Sequence, residues 1–219
     1  MSGQLPLDLR PRPALDRAAF MVSACNSDAV AMVDDPALWP GGKLALVGPE
    51  GTGKTHLAVA WADRTGAVIT SARTIDLGRP PPAFQVIEDV DRIAGDLQAE
   101  EAVFHLHNGV VNQGGKLLLT GRSAPQNWPL LLPDLASRMR ATALARLDTP
   151  DEALLGAVMV KLLADRGVKA APSLVHYVLP RIERSMQAVE QMVERLCDAG
   201  FSADRKIGRK LAIDLLDEG

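Results

Sequence analysis

One octapeptide constrains this 219-residue chain more than any other feature. Gly48-Pro-Glu-Gly-Thr-Gly-Lys-Thr55 follows a short apolar run, Lys43-Leu-Ala-Leu-Val47, and precedes a helix-like stretch over 54–64. Its glycines let the backbone wrap tightly and aim N–H groups inward, so Gly48, Pro49, Glu50, Gly51, Thr52 and Gly53 form a cradle for phosphate. Lys54 would reach the outer phosphates and Thr55 would hold Mg²⁺, while the helix adds the positive end of its dipole. A glycine-rich turn can match the same pattern, but the strand before it and the helix after it favour the phosphate loop. The chain is therefore expected to bind ADP or ATP with Mg²⁺. His56 adjoins the loop and belongs to the cofactor-binding stretch by position, with packing rather than catalysis as its expected role.

A phosphate loop of this kind needs a parallel sheet around it. Strand-like runs recur at Ala67–Thr70, Phe84–Ile87, Lys116–Thr120 and Ala143–Leu147, with helix-like segments at 97–112 and 134–139. That alternation predicts an α/β domain with helices on both faces of a parallel sheet. Gly78-Arg-Pro-Pro-Pro82 is a loop, because its prolines cannot supply ladder hydrogen bonds. After Thr149-Pro150-Asp151-Glu152 the strand signals stop. Thr149 is expected as N-cap with Pro150 at the first helical position, and further helices start near Pro172 and Ser185 and run over 206–216. The organisation expected is a mobile tail over 1–13, an α/β nucleotide-binding domain over 14–148 and a small all-helical domain over 149–219.

Composition excludes several functions. The net charge of −3 argues against broad DNA affinity, which rests on phosphate neutralisation by Lys and Arg. Aromatic residues are only 4% of the chain, too few for a base-stacking platform. Cys25 and Cys197 stand far apart and form no ligand cluster, and no apolar run approaches a membrane span. A cytoplasmic protein without a membrane partner is expected. His105 and His107, two apart on a helix, face different ways and do not make a metal pair. Trp39, Trp61 and Trp128 are expected to pack, and Arg205, Lys206, Arg209 and Lys210 to form a solvated helix face.

Phe84-Gln-Val-Ile-Glu-Asp89 ends in two carboxylates beside the phosphate loop. Glu88 is expected to contact Mg²⁺ and Asp89 to act with it on the attacking water. With these residues in place, the chain resembles AAA+ ATPases, and more narrowly the ATPase core of the bacterial replication initiator DnaA. The run Gly53-Lys-Thr-His-Leu57 is typical of that family. Thr120, after the strand Lys116–Leu119, takes the sensor-1 position. Leu132-Pro-Asp-Leu-Ala-Ser-Arg138 resembles the segment carrying the arginine finger, with Arg138 as the finger. A solvated or ion-paired arginine is the alternative. The helical part resembles the AAA+ lid, and sensor 2 falls in Arg184-Ser-Met-Gln-Ala188, at Gln187 or at Arg184 one turn earlier. Asn26 lies in a stretch resembling the adenine-side segment, or else it caps a helix. The usual order of the two acids is Asp first; Glu88-Asp89 inverts it, and slow intrinsic hydrolysis is expected.

The tail carries Gln4-Leu-Pro-Leu-Asp-Leu9, which resembles the short motif that docks replication proteins on the DNA polymerase sliding clamp. Leu7 and Leu9 would enter a preformed apolar pocket and the Gln4 amide would make fixed hydrogen bonds, with Leu5 part of the same clamp-binding stretch. The other possibility is a tail folded back on its own core. Joined to a DnaA-like core, the motif gives the chain a resemblance to Hda-type regulators of replication initiation. That resemblance implies two partners, the clamp and DnaA, with Arg138 acting on ATP held by DnaA and thereby switching the initiator off. It also implies no helix-turn-helix domain after the lid, hence no sequence-specific DNA binding, and a possible homo-oligomer. The rival expectation is an autonomous ATPase related to helicase loaders or clamp loaders.

Overall fold

The computed structural model describes Arg17, residues 20–202 and residues 205–217. The clamp-motif residues Gln4, Leu5, Leu7 and Leu9 lie outside the described residues. Strands β1 (Lys43–Val47), β2 (Val68–Ser71), β3 (Phe84–Glu88), β4 (Lys116–Gly121) and β5 (Ala143–Arg146) form one parallel sheet in the order β2-β3-β4-β1-β5. β1 lies between β4 and β5 and is buried along its whole length. A strand covered on both faces has no polar face, which is why Lys43–Val47 is an apolar run without alternation.

The pleat sends alternate residues into two different cores. Leu44 and Leu46 join Val86 and Leu118 in a cluster with Val30, Leu57 and Trp61, which belong to α1 (Ser27–Asp34) and α2 (Lys54–Thr65). Ala45 and Val47 join Ile87, Leu117 and Leu119 on the other face, with Val103, Val110, Leu135 and Met139. These last four come from α3 (Leu97–Asn112) and α4 (Pro133–Arg140). Full burial of each large aliphatic side chain contributes roughly 1.5–3 kcal/mol, so the two covered faces account for much of the sheet's stability. The three tryptophans are all buried; Trp39 donates Nε1–H to the Met32 carbonyl and Trp128 to that of Ser123.

Beyond β5 the chain is helical: α5 (Glu152–Asp165), α6 (Pro172–Val178), α7 (Met186–Ser202) and α8 (Arg209–Asp217). They enclose their own core of Leu155, Met159, Leu163, Leu174, Val189, Val193 and Leu211, among others. The start of α5 departs from the sequence expectation. Asp151, not Thr149, is the N-cap, and its Oδ1 accepts from the Leu154 amide at 2.7 Å. Pro150 thus precedes the helix; the carboxylate satisfies a first-turn N–H two residues later than expected, and an anion suits that end of the dipole. The α7 start falls as expected, with Ser185 Oγ accepting from the Ala188 amide at 3.1 Å. In the basic patch Arg205 pairs with Asp214 and the Arg209 guanidinium lies 5.2 Å from the Tyr177 ring.

Candidate functional site

The octapeptide leaves the carboxyl end of β1, the position where ligands of open parallel sheets bind. Gly48 donates its N–H to the Gly121 carbonyl at 3.3 Å, tying the loop's start to β4. Gly51 (φ +74°) and Gly53 (φ +94°) occupy left-handed backbone that other residues resist. A Cβ on Gly51 would also sit 2.6 Å from Ser185 Cβ, so the loop passes tightly against the helical domain. The Met186 amide, at the first residue of α7, donates to the Gly51 carbonyl at 2.8 Å. The glycine-rich loop and α7 are therefore joined by one backbone hydrogen bond and one close packing contact.

A cavity of about 450 Å³ opens at this junction, lined by Glu50, Gly51, Gly53, Lys54, Thr55, His56, Asp89, Arg92, Arg122, Met186, Gln187 and Glu190. Lys54 Nζ donates to the carbonyls of Gly48 (2.8 Å) and Pro49 (2.7 Å). Burial holds its pKa below the usual lysine value, while the carboxylates of Asp89, Asp91 and Glu50 oppose that shift. A bound polyphosphate would favour the charged form further, as an anion beside an ammonium does. Thr52 is buried and gives its hydroxyl to the Pro49 carbonyl, and His56 packs edge-on against Phe20. Thr55 is exposed at the cavity edge.

The strand ends converge on the same place. Asp89 lines the cavity, and Glu88 is the last residue of β3, half-buried and outside the lining. Among the described residues Asp89 is the one non-glycine residue with positive φ, at +58°. Its amide donates to Thr120 Oγ1 at 3.0 Å, so the buried Thr120 holds this left-handed backbone in place. No local sequence signal announced this strain. Among the described residues no three His, Cys, Asp or Glu gather to bind a metal. A divalent cation here would rely on Thr55, the acidic strand end of Glu88 and Asp89, phosphate oxygens and water, the arrangement Mg²⁺ prefers.

Two arginines that the sequence did not single out stand at the cavity mouth. Arg122 Nη2 donates to Glu50 Oε2 at 2.7 Å, and Arg92 lies 3.7 Å from Glu50 Oε1 and 3.6 Å from Asp89 Oδ2. Of the sensor-2 candidates, Gln187 lines the cavity and Arg184 is exposed outside it. Asn26 neither lines the cavity nor caps α1 with its side chain. It is buried, accepting from the Ser23 amide at 2.8 Å and donating to the Met21 carbonyl at 3.0 Å, and so fixes the loop before α1.

Arg138 occupies a different surface. It lies half-buried near the end of α4 and is absent from the cavity lining. Its Nε donates to Asn108 Oδ1 at 2.8 Å and its guanidinium stacks 4.7 Å from the Phe104 ring centroid. Its carbonyl accepts from Lys43 Nζ (3.2 Å) and Thr142 Oγ1 (3.0 Å). Asn108 Oδ1 also accepts from Nδ1 of the buried His107, 3.1 Å away, which leaves Nε2 with no partner. Burial lowers the His107 pKa to about 4, with smaller contributions from Lys43 and Arg138, so the ring is neutral. The fully buried Glu100 sets the start of α4, accepting from the amides of Gly95 (3.0 Å), Leu131 (3.1 Å) and Leu132 (2.7 Å). Glu100, Val103, His107 and Val110 share the buried stripe of α3, and an acid and a histidine on that stripe were the available signal.

No family model matches the chain. It is 27% identical, over an alignment 241 positions long with gaps counted, to the chromosomal replication initiator protein DnaA of Thermomicrobium roseum, covering 96% of this chain and 50% of that protein. The chain thus spans about half the length of the curated relative it matches. Domain III of the Thermotoga maritima replication initiation protein DnaA superposes with a TM-score of 0.83, at 20% identity over 94% of this chain and 97% of that one. AMPPCP-bound DnaA from Aquifex aeolicus superposes with a TM-score of 0.72, at 17% identity over 88% and 68%. Sheet order and the helical part that follows it agree with these likenesses: the chain has the α/β fold of DnaA domain III, and its core is DnaA-like in sequence.

Proposed function

We propose that this chain is a nucleotide-binding AAA+ regulator that acts on DnaA by presenting Arg138 to ATP held by that protein. The observation that carries this reading is the position of Arg138: outside the chain's own cavity, on α4, oriented by Asn108 and Phe104. An arginine held this way, with part of its surface open, is suited to enter a partner's site and stabilise charge on a transferring phosphoryl group.

In this reading ADP or ATP sits in the chain's own cavity, on the loop Gly48–Thr55, with Lys54 on the outer phosphates. Thr55 and the acidic strand end, Asp89 with Glu88, hold Mg²⁺. Gln187 meets the nucleotide from the lid, and the bond from Met186 to Gly51 makes the lid's seating depend on the loop. The nucleotide then orders the two domains more than it serves turnover. Gln4–Leu9 tethers the chain to the sliding clamp and raises the local concentration of Arg138 near DNA-bound DnaA. The likeness to DnaA supports an interface between the two proteins, since AAA+ modules of one kind stack on one another.

A second reading, an autonomous ATPase of the helicase-loader or clamp-loader kind, draws support from Asp89, whose carboxylate stands in the chain's own cavity. One experiment separates them. DnaA loaded with ATP is followed for hydrolysis with this protein, clamp and DNA, each omitted in turn. The regulator reading expects stimulation that falls by about 10³-fold in Arg138→Ala, the size of an arginine-finger effect. Full stimulation by Arg138→Ala, or steady turnover by the isolated chain lost in Lys54→Ala, would overturn it.

A further inference from the structure

We propose that Arg122 and Arg92 form a clamp in cis for the terminal phosphate of a nucleoside triphosphate, and that Glu50 competes with that phosphate for them. The inference deepens the nucleotide reading of the cavity and rests on it. Three cationic side chains, Lys54, Arg92 and Arg122, line the cavity with three acids, Glu50, Asp89 and Glu190. With all of them charged the lining is balanced, a poor host for a polyphosphate. Glu50 is the acid best placed to leave. It stands at the tip of the phosphate loop, 64% exposed, and its contacts are to Arg122 at 2.7 Å and Arg92 at 3.7 Å.

Exposed ion pairs of this kind are screened by water and contribute little, so their loss costs little. A phosphate offers the same guanidinium forks more charge and more acceptor oxygens than a carboxylate does. When Glu50 swings outward, the cavity gains one net positive charge and both arginines face the outer end of the loop. Backbone contacts keep them there. The Arg122 amide donates to Asp91 Oδ2 at 3.2 Å, and the Arg92 carbonyl accepts from Arg73 at 3.1 Å. Asp89, 3.6 Å from Arg92 Nε, keeps that side chain beside the position expected for Mg²⁺. A diphosphate has no group to reach the clamp, so the pair Glu50–Arg122 persists with ADP and breaks with ATP. The loop carboxylate thereby sets how strongly the chain prefers one nucleotide over the other.

The test is a fluorescence titration of the full chain with mant-ATP and mant-ADP at fixed Mg²⁺, with melting temperature recorded for each variant. Arg122→Ala is expected to weaken mant-ATP about tenfold, the worth of one charge-assisted hydrogen-bond pair, and to move mant-ADP by less than about twofold. Glu50→Gln is expected to tighten mant-ATP several-fold and leave mant-ADP unchanged. Equal shifts for both nucleotides in Arg122→Ala, or an unaltered ATP-to-ADP ratio in Glu50→Gln, overturn the clamp while leaving nucleotide binding intact. Failure of the wild-type chain to bind either nucleotide overturns the nucleotide reading and the clamp with it.

Discussion

The cavity at the glycine-rich loop and the Arg138 ledge are built in opposite ways. The cavity takes its shape from eight consecutive residues whose backbone does the work, and distant side chains are added at its rim. The ledge has no local motif. Lys43 from β1, Phe104, His107 and Asn108 from α3 and Arg138 from α4 meet only because the sheet brings their elements together. A site made of contiguous backbone tolerates changes in its surroundings and fails when one of its own residues changes. A site made of assembled side chains should fail through residues that never touch a ligand.

The sharpest test of that difference is Glu100. Glu100→Ala empties a fully buried position and leaves three part-buried amides without their acceptor, and should cost roughly 3 kcal/mol in chemical denaturation. If the variant is made in a stabilised background, the proposed stimulation of DnaA should drop while the proposed nucleotide affinity of the cavity holds. Loss of both together would break the comparison. Lys54→Ala should do the reverse, weakening nucleotide by at least about a hundredfold in a binding titration with little change in melting temperature.

His107 gives the ledge a pH dependence of its own. Its folded pKa, about 4, lies below the ordinary 6.5, so the unfolded chain binds the extra proton between those values. Stability is therefore fully present above pH 6.5 and declines as pH falls toward 4, by roughly 2–3 kcal/mol at pH 4.5 from this residue alone. Urea unfolding at pH 7 and pH 4.5 should show that decline in the wild type and a smaller one in His107→Leu. An equal decline in both would remove His107 from the account.

Asn108→Ala should reduce stimulation of DnaA about tenfold, because a freed guanidinium samples orientations that cannot reach the partner's phosphate. Rescue by Asn108→Asp, whose carboxylate also accepts from Arg138 Nε, would distinguish positioning from simple loss of packing. The smallest effect expected is at the lid. Ser185→Ala removes the α7 cap and should cost about 1 kcal/mol in thermal unfolding, with a matching small loss of nucleotide affinity through the Met186–Gly51 contact.

Much of this molecule was legible before any fold was known. The strand runs were identified within one residue at either end because buried parallel strands are unbroken apolar stretches, and α3 was located at 97–112 by its periodicity. The α5 cap was misplaced because Thr149, Asp151 and Pro150 all carry start signals, and only the amide geometry decides among them. Asn26 was ambiguous for a related reason: its amide can serve a cap, a turn or a ligand, and here it serves the turn.

The sequence by itself determined the glycine-rich loop between β1 and α2, the α/β alternation and the helical second part, because each is encoded in residues adjacent along the chain. Backbone conformation and periodic burial are local properties, and local properties survive being read one residue at a time. Only the tertiary structure decided that Asp89 is strained and held by Thr120, that Glu50 faces Arg122, and that Asn108 and Phe104 orient Arg138. Those are contacts between residues about 30 to 72 positions apart. Their partners are chosen by strand order and helix packing, for which no short stretch of sequence carries a signal.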